Sequence, residues 1–180
     1  MKKTILIITI LALLSLTGCI GIFNLSGWIW PGDDSKFMAI VEELDTPQKI
    51  GNCMEENFEY ELHAFWLPSP YLLWKREKGD CNDFATFGSL IAHYHNYETY
   101  LVRIFYDDDT IWKHYLAVYV EGVGLSFTDN QYYNLYLLVS HRFNNIKEIV
   151  GYDSLLHNKV WTKYIVYDYW NNFVEEVNNN

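Results

Sequence analysis

Cys81 follows Gly79-Asp80 and precedes Asn82-Asp83-Phe84-Ala85. The stripe Phe84, Phe87, Gly88, Ile91 and Tyr94 predicts a helix over 81–95. A cysteine in the first turn of a helix meets unpaired backbone N–H groups and the positive end of the dipole, which favour thiolate and can hold an oxyanion. A thiol nucleophile also needs an imidazole to move its proton and a carboxylate or amide to orient that imidazole. His114 and Asp129 offer such a pair. Residues 99–106, 110–120 and 125–130 read as strands, with turns at Asp107-Asp108-Asp109 and Glu121-Gly122-Val123-Gly124. A two-residue loop Glu121-Gly122 pairs Val120 with Val123 and sets His114 opposite Asp129. A four-residue loop 121–124 pairs Val120 with Leu125 and sets Asp129 opposite Leu116, one diagonal step from His114. Both registers put imidazole and carboxylate side by side on one face.

The blocks Gly79-Asp80-Cys81-Asn82-Asp83-Phe84-Ala85, 113–120 (Lys-His-Tyr-Leu-Ala-Val-Tyr-Val) and 124–130 (Gly-Leu-Ser-Phe-Thr-Asp-Asn) occur in that order. Together they resemble the transglutaminase-like superfamily of papain-related cysteine enzymes, over roughly residues 50 to 131. The resemblance implies a Cys-His-Asp triad at Cys81, His114 and Asp129. It also implies an α+β fold with a papain/transglutaminase-like core, its N-terminal helices packed on a small antiparallel sheet. Many members place a polar or aromatic oxyanion donor upstream of the cysteine. Trp74 is the candidate here, with Gln48 also available. Tyr115 stands where many members have a tryptophan after the histidine.

The N-terminus reads as a targeting segment: Lys2 and Lys3, then an apolar run from Ile5 to Leu16. That run is too short for a hydrocarbon core of about 30 Å. Leu16-Thr17-Gly18-Cys19 resembles a bacterial lipobox, which implies cleavage before Cys19 and diacylglycerol on its sulfur. The alternative is an uncleaved anchor extended by Ile20, Ile22 and Phe23. Either way the remaining chain is expected outside the cytoplasm, lipid-anchored to the membrane on the lipobox reading. The expected organisation is a signal peptide over 1–18, a tether over 19–34 and one domain over 35–177.

Within the domain, Phe37, Ile40, Val41 and Leu44 predict a helix from Ser35, and Thr46-Pro47 opens a second, over 47–62. Leu67-Pro68-Ser69-Pro70 reads as a break in regular structure. Residues 144–150 read as a short helix, 161–169 as a last strand and Asn178-Asn179-Asn180 as a frayed tail.

The 180 residues carry a formal net charge of −10, which excludes nucleic acid as the main partner because phosphate binding needs clustered Lys and Arg. Three cysteines are too few for a disulfide scaffold or a zinc ribbon. With Cys19 lipidated, Cys53 and Cys81 are left, and a disulfide between them competes with the nucleophile reading, as does an inert buried thiol. His93 and His95 sit at a helix end without a ligand partner, and the three-aspartate turn lacks a calcium loop's spacing. Asp83 reads as a helix-dipole residue, and His63, His141 and His157 have no recognisable setting. No metal or organic cofactor is implied. The expected function is an envelope cysteine enzyme that cleaves or transfers amide bonds of protein, peptide or cell-wall peptide substrates. A non-catalytic lipoprotein acting as an envelope binding module is the alternative.

Overall fold

The computed structural model describes residues 34–63, 69–107 and 113–179. The leader, Cys19, the tether and most of the three-aspartate turn lie outside these residues. Among the described residues no helix is long and apolar enough to cross a membrane.

Among the described residues, four helices precede the main sheet: α1 (Ser35–Glu43), α2 (Pro47–Asn57), α3 (Pro70–Arg76) and α4 (Cys81–Tyr94). Each starts where a side chain satisfies orphan N–H groups. Asp34 caps α1, Thr46 caps α2 ahead of Pro47, Ser69 caps α3 ahead of Pro70, and Asp80 caps α4. The expected break at Ser69-Pro70 is therefore a helix start, because proline in the first turn has no N–H to lose. Likewise α2 stops at Asn57 rather than reaching 62: Phe58 turns extended, and β1 (Glu59–Tyr60) pairs in parallel with β2 (Lys78–Gly79) just before Cys81.

The main sheet is antiparallel, in the order β6-β5-β4-β3-β7-β8. Its strands are β3 (Thr99–Tyr106), β4 (Lys113–Glu121), β5 (Gly124–Asp129), β6 (Tyr132–Tyr133), β7 (Trp161–Asp168) and β8 (Phe173–Asn178). The fold is mixed α+β, with helices on an antiparallel sheet. Helix α5 (Ile146–His157) runs seven residues past the expected end at 150, closed by Asn158 in the left-handed conformation (φ 51°). The chain end is ordered through Asn179: Asn178 pairs with Lys163, and the Asn179 N–H donates to the Thr162 carbonyl. Strand β8 pairs with the edge of β7 through backbone hydrogen bonds, which short-range periodicity does not reveal.

Strand alternation divides the core in two. Leu101, Ala117 and Tyr119 face α1, α2 and α4, where Phe37, Ile50, Met54, Phe84, Phe87 and Ile91 are fully buried. Val102, Ile104, Leu116, Val118 and Phe127 face the other way, onto Ile149 and Val150 of α5. Gly88 lets α4 lie close on the sheet, since a Cβ there would strike the Tyr119 hydroxyl, which shares a 2.9 Å hydrogen bond with Thr128.

Candidate active site

Asp80 and Asp83 form a capping box at the start of α4. The Asp80 carboxylate accepts from the Asn82 and Asp83 N–H groups, and Asp83 Oδ2 accepts from the Asp80 N–H at 3.0 Å. His63 Nε2 meets the same Asp83 oxygen and lies 3.9 Å from Asp80. The cap holds Cys81 in place but uses two of the first three N–H groups, leaving Cys81's own to face an oxyanion. Cys81 and Cys53 are both free thiols, so the disulfide alternative falls.

The turn between β4 and β5 follows the wider register: Val120 pairs with Leu125, Glu121 with Gly124 and Leu116 with Asp129. The turn is two residues, Gly122-Val123, with Gly122 at φ +65°. His114 is thus one diagonal step from Asp129, and its Nε2 lies 2.9 Å from Asp129 Oδ1. His114 pairs with Ile104 and shares its face, so both residues lie on the α5 side of the sheet. Cys81 arrives from the α4 side, around the start of β4, where its thiol lies 3.7 Å from the Lys113 carbonyl. The two layers meet in a cleft of about 200 Å³ lined by Cys81, His114, Tyr60, Tyr106, Asn130 and His157, with Lys113 and Lys159. Trp74 is not part of that lining. It packs in the helical core against Phe37, at 5.3 Å between ring centres, under the Lys75 ammonium.

Two residues of the cluster were not singled out in the sequence. Asp153, fully buried on α5, sets Oδ1 3.3 Å and Oδ2 3.4 Å from His114 Nδ1. His157, one turn later, places Nε2 3.2 Å from Asp129 Oδ2 and 3.5 Å from Asp153 Oδ1. The Tyr106 hydroxyl donates to Asp153 Oδ2, and Asn130 Nδ2 donates to Asp129 Oδ1 at 3.0 Å. The signal available was the spacing Asp153-x-x-x-His157, which sets both on one helix face once α5 is allowed its full length.

Charge follows geometry. Burial works against a charged His114, but Asp153 and Asp129 outweigh it and hold the imidazolium well above the ordinary histidine range. The Asp129 hydrogen bond, then Asp153, lifts His157 to about 9. Burial opposes the Asp129 carboxylate, yet its bonds from His114 and His157 keep it below the usual carboxylate range. Burial also pushes the Cys81 thiol up, and the neighbouring imidazolium only partly offsets this. The Cys81 thiolate is thus harder to form than its helix position suggests, because burial outweighs the imidazolium beside it.

Among the described residues, two groups of side chains could hold a cation: His114, Asp129, Asp153 and His157, and the capping group His63, Asp80 and Asp83. Compared with known protein families and with characterised proteins, the chain matches none.

Proposed function

We propose that this chain is a thiol-dependent enzyme of the transglutaminase-like kind, acting on amide bonds of protein, peptide or cell-wall peptide substrates outside the cytoplasm and anchored through lipid on Cys19. One observation carries the reading: Cys81, at the capped start of α4, opens into the same cleft as His114, whose Nε2 rests on buried Asp129 at 2.9 Å. The reacting form is a Cys81 thiolate beside the His114 imidazolium. Sulfur attacks the amide carbon, and the carbonyl electron pair moves to oxygen, which meets the N–H of Cys81. As the C–N bond breaks, His114 gives its proton to the leaving amine, and a thioester remains on Cys81. Water or a second amine then attacks the thioester, His114 takes a proton from it, and the C–S bond breaks to restore the thiolate. Asp129 holds the imidazole orientation throughout.

The test is trapping. The full chain incubated with glutamine-containing peptides should gain an acyl mass on Cys81, and His114→Ala should slow that gain by about 10²- to 10⁴-fold. An acyl mass that forms at the same rate in His114→Ala overturns the proposal.

A second reading, a non-catalytic envelope binding module, is favoured by the carboxylates that meet both ring nitrogens of His114. It requires that no acyl mass form on Cys81 with any peptide or amine tried.

A further inference from the structure

Beneath the cleft lies a four-residue arrangement of which the acyl-transfer reading uses only His114 and Asp129. His114 comes from β4, Asp129 from β5, and Asp153 and His157 from one face of α5. One donor atom from each lies within 4.8 Å of every other. Three of the separations fall in a narrow range: His114 Nδ1 to Asp153 Oδ1 at 3.3 Å, Asp153 Oδ1 to His157 Nε2 at 3.5 Å, and His157 Nε2 to Asp129 Oδ2 at 3.2 Å. Charge-assisted N–H···O bonds close to about 2.7–2.9 Å. Ligands about 2.0–2.2 Å from a tetrahedral ion stand about 3.3–3.6 Å apart, so these three spacings match the edges of a metal site, while the remaining contact, His114 Nε2 to Asp129 Oδ1 at 2.9 Å, has the length of a bond.

An independent observation points the same way. Asp153 is fully buried, and its Oδ1 makes no hydrogen bond, although two imidazoles face it. The two imidazoles offset its charge, but a buried carboxylate oxygen without an aligned hydrogen bond keeps a lone pair open to a further ligand. Its other oxygen is already engaged by the Tyr106 hydroxyl, which fixes the carboxylate with Oδ1 turned into the cluster. The outer support that metal sites need is therefore in place: Tyr106 behind Asp153 and Asn130 behind Asp129.

We infer that His114, Asp129, Asp153 and His157 form a binding site for one divalent first-row cation of the zinc class. Two imidazoles and two carboxylates, with no thiolate, make a borderline nitrogen–oxygen donor set that suits such an ion. Two carboxylates and two neutral imidazoles carry charge −2, which the ion cancels. Cys81 is not a donor, but His114 and Asp129 are shared with the acyl-transfer reading, so a bound ion takes His114 out of proton transfer, and zinc binding is measured apart from acylation. The capping group His63, Asp80 and Asp83 is not chosen, because its carboxylates already serve backbone N–H groups.

The experiment is a titration of the full chain with zinc chloride after dialysis against chelator, followed by calorimetry and metal analysis. The expected result is one zinc per chain, retained by Cys81→Ala and weakened by roughly 100-fold or more in Asp153→Asn and His157→Ala. A second measurement needs no variant: cobalt(II) should give four-coordinate visible bands without a thiolate-to-metal charge-transfer band. A missing binding event, unchanged affinity in both folded variants, or a thiolate band overturns the site.

Discussion

His63 and His114 each meet a pair of aspartates close to Cys81, and the two groups differ in how their carboxylates are spent. Around His63, Asp80 accepts from two backbone N–H groups and Asp83 from a third. That group is the end of a helix, and His63 seals it. Around His114, Asp153 accepts from Tyr106 and faces imidazoles, and Asp129 takes Asn130 besides its histidines. Among the described residues no backbone donor is consumed there. Residue types are the same in both groups. The lone pairs left over for a proton, a substrate or an ion are what separate a cap from a site.

The comparison can be broken most severely by kinetics. His114→Ala should cost about 10²- to 10⁴-fold in the rate of Cys81 acylation, whereas His63→Ala, checked for fold by circular dichroism, should cost far less. Equal losses would make the two groups equivalent supports for the thiol.

Stability gives the next largest effect. Asp129→Ala leaves two buried or half-buried imidazoles against an uncompensated cluster, and should lower unfolding free energy by about 3–5 kcal/mol in urea titration. Asp80→Ala removes a helix cap and should lower it by about 0.5–2 kcal/mol. A reversed order would assign the structural role to the wrong group.

The pH dependence sharpens the comparison further. His157 titrates near 9 in the folded chain and near its ordinary 6.5 unfolded, so its contribution is complete below 6.5 and fades as pH rises through 9. Asp129, held below its usual range, contributes above that range and loses its contribution as pH falls through it. Urea midpoints of the wild type should fall between pH 6.5 and 9, and His157→Ala should flatten that segment. An unchanged slope in the variant would remove His157 from the network.

The smallest effect compares the two thiols. Burial raises Cys53 to about 11, whereas Cys81, also pushed up by burial, has the His114 imidazolium beside it, so iodoacetamide should label Cys53 only at high pH. Of the two, Cys81 opens into the cleft and should label first.

The sequence carried much of this local structure. The strand Thr99–Tyr106, the start of α4 at Cys81 and the placement of His114 and Asp129 side by side on one face follow from alternation and capping residues, while the choice between the opposite and the diagonal register came from the structure. Alternation and capping are short-range signals. Asp153 and His157 were not legible because their meaning comes from α5 crossing to the far face of the sheet, a contact between distant segments. Strand β8 was missed for a related reason: exposed Phe173 and Val174 and the polar Asn178 make weak periodicity, and only the open edge of β7 recruits them. Trp74 misled because an aromatic upstream of a cysteine carries no direction, and here it turns into the helical core.

The two layers of the domain meet at the cleft. Helix α5 buries Ile149 and Val150 against the sheet while Leu155 stays exposed, and its last two turns hold Asp153 and His157. Lifting this helix would carry those side chains away from His114 and Asp129, so detachment of the layer and loss of the cluster are a single opening event. Amide hydrogen exchange along α5 then reports directly on the cleft, and whatever fills the cluster slows the breathing of a helix on the opposite side of the sheet from Cys81.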